Sequence, residues 1–267
     1  MIDTTVTIGG IPVRFWSYDR SFSRLVRKRY ANFLGSGHDE AAELTVRLLP
    51  GGGWRPGADL KVVYRAGTWH IQRGDFNAEW NMQSRRGMVW QPRSPYALDS
   101  VLRILHTIIL AERGGFLLHA ASVIRNGRAL IFAGQSGAGK TTICRLAPPD
   151  AILLTDEISF VQPSHGTYFA FGTPFFGELA VPGKNTLAPL EAIYLLEHAA
   201  ADRVEEVPSR LALTQLLRNV LLFAQDSETV SRVFAAAFDL LSRVPVRRLR
   251  FAPTPRVWSM QELSPCS

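Results

Sequence analysis

Cysteine is nearly missing from this 267-residue chain. Cys144 and Cys266 are the only two, too few for a disulfide framework or a cysteine-rich zinc site, and both read as reduced thiols. Long apolar runs are missing too. The most apolar stretches, residues 101–110 and 220–224, are broken or bounded by Arg103, His106, Arg218 and Asp226. No window reaches the roughly 18 uncharged residues of a membrane helix, so the chain is not expected to span a membrane. The opening Met1-Ile2-Asp3-Thr4-Thr5 has neither a basic region nor a long apolar core, which makes a cytoplasmic location the expectation. Lysine is scarce as well: Lys28, Lys61, Lys140 and Lys184 are the only lysines among 30 basic residues. The arginines that carry the net charge of +7 are scattered, with tight clusters only at Arg27-Lys28-Arg29, Arg85-Arg86 and Arg247-Arg248. None is interleaved with aromatic residues in the manner of an RNA-binding surface. The charge therefore reads as a solvated basic surface that attracts acidic or phosphorylated ligands, not as a nucleic-acid site.

What remains is an ordinary globular composition, 46% hydrophobic and 20% charged, which excludes whole-chain disorder. Residues 1–95 read as a small β-rich α+β domain. Short β-prone runs at 6–8, 12–16, 44–49, 60–64 and 69–73 are separated by Gly9-Gly10, Pro50-Gly51-Gly52-Gly53 and Arg65-Ala66-Gly67, with a helix expected between residues 21 and 34. Trp54, Trp69, Trp80 and Trp90 are read there as core or interface anchors, since no catalytic spacing accompanies them. Near Ser94-Pro95 the pattern changes: Leu98, Val101, Leu102, Leu105, Ile108 and Ile109 recur at helical spacing until Gly114-Gly115 stops them, which predicts a helix and a second domain over residues 96–267. Two β-prone segments, 116–124 and 128–133, then flank Asn126-Gly127, the dipeptide best suited to a tight two-residue hairpin.

The second of those segments runs into Gly134-Gln135-Ser136-Gly137-Ala138-Gly139-Lys140-Thr141, which satisfies G-x-x-x-x-G-K-[ST] at every fixed position. A strand precedes it and no helix breaker follows Thr141 and Thr142 until Pro148-Pro149. Glycine lets backbone wrap closely round phosphate oxygens with N–H groups turned inward. Lys140 would then bridge the β- and γ-phosphates of a nucleotide such as ATP, and the Thr141 hydroxyl would reach Mg²⁺. Further on, Ala151-Ile152-Leu153-Leu154-Thr155 reads as a buried strand ending in Asp156-Glu157. If it runs parallel to the strand before the glycine-rich loop, both acids reach the same sheet edge, where one could hold Mg²⁺ and another accept a proton. His119, in Leu117-Leu118-His119-Ala120-Ala121, reads by strand geometry alone as a satisfied core histidine.

The segment Gly114-Gly115-Phe116-Leu117-Leu118-His119-Ala120-Ala121, the glycine-rich loop and Leu154-Thr155-Asp156-Glu157, taken in that order, resemble the HPr serine kinase/phosphorylase family and its relatives, among them kinases that modify lasso peptides. Phe171-Gly172-Thr173-Pro174-Phe175-Phe176-Gly177-Glu178 and Leu249-Arg250-Phe251-Ala252-Pro253 are also similar to shorter members. The resemblance covers roughly residues 96–258. It implies an α/β P-loop core with a mixed sheet, like that of phosphoenolpyruvate carboxykinases, and transfer of phosphate from a nucleotide to a hydroxyl. By resemblance, His119 becomes a catalytic candidate beside Asp156 and Lys140. Gly134, Ser136, Gly137, Ala138, Gly139, Lys140, Thr141 and Thr142 would line the nucleotide, Glu178 would stand near the active site and Arg218 would reach phosphate. Thr141, Asp156 and Glu157 would hold Mg²⁺. The family's usual Asp-Asp pair is Asp156-Glu157 here, a departure that bears on the reverse, phosphorylase-type reaction. The expectation is thus a Mg²⁺-dependent kinase using ATP on a serine of a peptide or protein, or on a small alcohol. A nucleotide-sensing binding protein and a simple ATPase stand as rivals, and a homo-oligomer stays open.

Overall fold

The computed structural model describes residues 1–35, 41–49 and 59–264. Trp54, Cys266 and the turn expected at Pro50-Gly51-Gly52-Gly53 lie outside the described residues. The chain is α/β with mixed sheets and few helices. It divides into two units, residues 1–108 with 223–229, and residues 109–222 with 230–267. The division falls inside a helix, α2 (Pro95–Glu112), rather than at its start.

The first unit is built on seven strands: β1 (Ile2–Ile8), β2 (Ile11–Ser17), β3 (Ala42–Leu48), β4 (Lys61–Arg65), β5 (Thr68–Arg73), β6 (Phe76–Asn81) and β7 (Arg86–Gln91), in the order β1-β2-β3-β7-β6-β5-β4. Strands β2, β3 and β7 run parallel and the remaining pairs antiparallel. Gly9-Gly10 and Ala66-Gly67, all at positive φ, close two-residue hairpins, as their composition predicts. Strand β6 alternates: Phe76, Ala78 and Trp80 are buried while Asn77 and Glu79 are exposed, the period of two that one buried sheet face imposes. The helix expected over 21–34 is shorter, α1 (Arg20–Arg29), followed by a 3₁₀ turn at Ala31–Phe33. Asp19 caps it by accepting from the Phe22 amide at 2.8 Å. Tyr30 and Phe33, both buried, stand three residues apart, and the tighter 3₁₀ winding places such a pair on one side. Trp69 and Trp80 are core residues and Trp90 is half-buried.

The second unit carries β8 (Phe116–Arg125), β9 (Arg128–Ala133), β10 (Ile152–Thr155), β11 (Ile158–Ser164), β12 (Thr167–Phe171), β13 (Leu187–His198), β14 (Arg203–Glu206), β15 (Val220–Leu221) and β16 (Val246–Phe251), with helices α3 (Lys140–Arg145), α4 (Ser209–Asn219) and α5 (Ser227–Arg243). Strand β8 is buried along nearly its whole length and organises the sheet. Its hairpin with β9 turns at Asn126 and Gly127, both at positive φ. Strands β10 and β11 pair successively with the same side of β8, Ile152 opposite Ile124 and Ile158 opposite His119, so they form one lane interrupted at Asp156-Glu157. Across β8, β9 pairs with residues 120–125 and β15 with Leu117 and Leu118. His119 therefore lies on β8 between the end of one of these neighbours and the start of the other. Strand β10 runs in the direction of β9, as expected, but with β8 between them, since both are antiparallel to β8. Strands β9, β13 and β16 are mutually parallel, and their carboxyl ends gather at one edge, where crevices of open α/β sheets form.

Candidate functional site

The glycine-rich loop leaves β9 at Ala133 and re-enters structure at Lys140, the first residue of α3. Gly139 cannot be replaced without displacing its neighbours. It adopts φ +100°, and a Cβ built on it would lie 2.6 Å from the Phe251 ring. Ala138 turns away into the apolar cluster of Phe132, Ile143 and Phe251. Helix α3 has only six residues, too short for a long helix dipole.

A cavity of about 270 Å³ opens at this edge. Ser136, Gly137, Gly139, Lys140, Thr141, Thr142, His119, Asp156, Glu157 and Glu178 line it, joined by Gly177 and His198. Every candidate catalytic and metal-holding residue thus reaches one space. Gly134 contributes its carbonyl, which accepts from Lys140 Nζ at 2.8 Å, and the Gln135 carbonyl accepts at 3.2 Å. Burial pulls the Lys140 ammonium below its usual range, against which the charges of Glu157 and Glu178 act. Arg218 is exposed at the end of α4 and is not among the residues lining the cavity. It occupies the exposed side of the last helical turn, while its neighbour Asn219 is the buried one.

The acidic corner is built by Thr155. Its buried hydroxyl donates to the Phe175 carbonyl at 3.0 Å and accepts from the amides of Glu157 and Ile158, each at 3.1 Å. The Glu157 carbonyl in turn accepts from Ala120, so the lane along β8 resumes after the interruption. Asp156 is almost fully buried, and each carboxylate oxygen accepts a backbone N–H at 2.9 Å, from Gly177 and from Leu179. The residue between those two amides is Glu178. The segment that carries it lies tightly against β10: a Cβ on Gly183 would sit 1.6 Å from the Leu154 carbonyl oxygen, and Lys184 donates to Leu153 at 2.9 Å. Thr155→Val removes the hydroxyl from three backbone partners at once. It is expected to cost about 2 kcal/mol in chemical denaturation, and a loss below about 0.5 kcal/mol would show that the hydroxyl is not the keystone of this corner.

The oxygen donors are hard: the hydroxyls of Ser136, Thr141 and Thr142 and three carboxylates, beside a lysine. Among the described residues no group of three or more His, Cys, Asp and Glu side chains is arranged to hold a metal by itself. Such donors suit a cation that completes its coordination with water and substrate oxygens, as Mg²⁺ does, rather than a closed metal cage. Cys144, on α3, is not among the residues lining the cavity, and burial, with the charge of Asp156 adding to it, holds its thiol well above the usual value. His198 and Gly177 are the site residues that sequence reasoning missed. His198 had one local signal, the polar ending Glu197-His198 after the apolar run 192–196.

Fold and site together define an α/β chain with mixed sheets whose glycine-rich strand-loop-helix faces an acidic strand end across β8. Residues 96–263 match the family described as SynChlorMet cassette protein ScmC, and the chain belongs to that family. No curated protein matches it. No helix among the described residues is long and apolar enough to cross a membrane.

Proposed function

We propose that this protein is a Mg²⁺-dependent kinase that transfers the γ-phosphate of ATP to a hydroxyl of a peptide, a protein or a small molecule, in the manner of the HPr-kinase-like enzymes it resembles. One observation carries the reading: Lys140 and the glycine-rich loop share a single cavity with Asp156, Glu157, Glu178 and His119. An anionic polyphosphate would meet backbone amides and an ammonium on one side and proton-accepting carboxylates on the other. Amides of Gly137, Gly139, Lys140 and Thr141 would hold the β-phosphate. Lys140 would leave the carbonyls of Gly134 and Gln135 and neutralise the transferring group. Mg²⁺, when bound, would offset charge on the phosphate oxygens, with Thr141, Glu157 and Asp156 the residues to hold it.

In the transfer itself the acceptor oxygen forms a bond to the γ-phosphorus as the bond to the β–γ bridging oxygen breaks, and ADP leaves. The acceptor proton passes to a carboxylate. Asp156 suits that role because its two amide bonds fix its orientation, while an oxygen that accepts one N–H keeps a lone pair for another partner. Most of the acceleration would come from in-line placement and charge stabilisation, with proton transfer secondary. The word cassette in the family's description points to neighbouring gene products as the place to seek the acceptor.

Tracing a γ-³²P label tests the reading. Label on a protein, peptide or small acceptor supports the kinase. Label released only as inorganic phosphate makes the chain an ATPase, and retention of all label on unconsumed ATP makes it at most a nucleotide sensor.

A further inference from the structure

His198 forms a wall of the cavity to which the transfer chemistry assigns no task. Strand β13 runs past the level where β9 gives way to the loop: Leu195 lies opposite Ala133, and His198 three residues later lies opposite Phe251 at the end of β16. The imidazole stacks on the Phe251 ring, centroids 5.5 Å apart and planes inclined at 29°. Its Nε2 lies 2.8 Å from the Gly137 carbonyl oxygen. A carbonyl can only accept, so Nε2 carries the hydrogen in this contact.

Gly137, on one side of the peptide touched, adopts φ +82°, and a residue without a Cβ can turn its ψ at little steric cost. Rotation of the peptide joining Gly137 to Ala138 would carry a carbonyl oxygen into a cradle meant for phosphate, where lone pairs repel an anion. This peptide is held at both ends. Its oxygen accepts from His198, and its N–H, on Ala138, donates to the Gln135 carbonyl at 3.1 Å. Phe251 supports both parts, since its ring underlies the imidazole and fills the space next to Gly139.

We infer that His198 is a positioning residue of the glycine-rich loop, whose imidazole N–H pins the Gly137 carbonyl and so keeps the loop in the form that receives polyphosphate. The inference rests on the kinase reading for the identity of the ligand, but the pinning itself is a property of the ligand-free loop. His198 is exposed, so replacing it removes no buried side chain, although it uncovers one face of the Phe251 ring.

Two full-length variants test it, His198→Ala, which removes the N–H, and His198→Gln, whose amide N–H can reach the same carbonyl. Calorimetric titration with magnesium ADP is expected to show affinity about tenfold weaker in the alanine variant, with the glutamine variant within about threefold of the parent. Hydrogen exchange of amides 135–141 without nucleotide is expected to speed up about tenfold in His198→Ala and to stay near the parent rate in His198→Gln, with unfolding midpoints unchanged. A purely structural contact would not give rescue by a side chain that shares only the N–H. Exchange rates in His198→Ala equal to those of the parent, or a glutamine variant that behaves as the alanine one does, would overturn the inference. If the parent takes up no magnesium ADP, the kinase reading falls, and the exchange comparison alone decides the pinning.

Discussion

Replacing Lys140 with methionine is expected to lower phosphate transfer by about a thousandfold or more and to weaken nucleotide binding, while the protein stays folded. Methionine keeps most of the apolar stem that the cavity wall packs against and loses only the ammonium. The structure makes that ammonium doubly costly to lose. It is desolvated, with its charge supported by Glu157 and Glu178, and it already donates to two carbonyls of the loop. In the transfer reaction it would trade those carbonyls for phosphate oxygens, an exchange of hydrogen bonds that favours the more negative partner. Loss of one preorganised donor to a transition-state oxyanion costs about a hundredfold to a thousandfold in turnover, and loss of a full charge at a transferring phosphoryl group belongs at the upper end. Kinetics on the purified variant together with calorimetry check this. Parent-like turnover and affinity in Lys140→Met would remove the loop from the catalytic site altogether.

Asp156 carries the second large effect, and two substitutions separate its two duties. Asp156→Ala deprives two backbone amides of their acceptors, those of Gly177 and Leu179. Leaving a buried donor unsatisfied costs about 1–3 kcal/mol each, so the variant is expected to lose about 3 kcal/mol of stability and to release the segment carrying Glu178. Asp156→Asn keeps one acceptor oxygen but sets an NH₂ against the other amide. Its stability loss is expected to be smaller, about 1–2 kcal/mol, whereas turnover should fall by about a thousandfold because an amide cannot take a proton from the acceptor hydroxyl. Denaturant unfolding and single-turnover kinetics on both variants give the comparison. If the asparagine variant turned over at the parent rate, the proton would have to pass elsewhere, and Glu157 or Glu178 would inherit the role.

The parts of the site that could be read in advance are those whose physics is local. Eight consecutive residues, 134–141, carry the loop, because glycine at positive φ, an ammonium and a hydroxyl act on backbone only a few atoms away. Asn126-Gly127 specified its hairpin for the same reason. The strand ending in Asp156-Glu157 could be read from its apolar run, although its buried partners could not: Gly177 and Leu179 lie 21 and 23 residues further on. Arg218 shows the opposite case. Its apolar helical surroundings were plain in the sequence, but which side of the helix would be buried depended on its phase, which the packing of Leu216 and Asn219 set.

By itself, then, the order of residues determined that a glycine-rich loop ending in a lysine and a threonine would follow a hairpin and precede an acidic strand end, since each of these is a matter of steric freedom and charge within a few neighbouring positions. The tertiary structure alone decided that β8 would lie between the loop strand and the acidic strand, that His119 would stand on β8 between the ends of β9 and β15, and that β13 would overrun the loop to bring His198 onto Gly137. Pairing of strands distant in the chain is a competition among registers won by burial of the whole sheet. No short window of residues records the outcome of that competition.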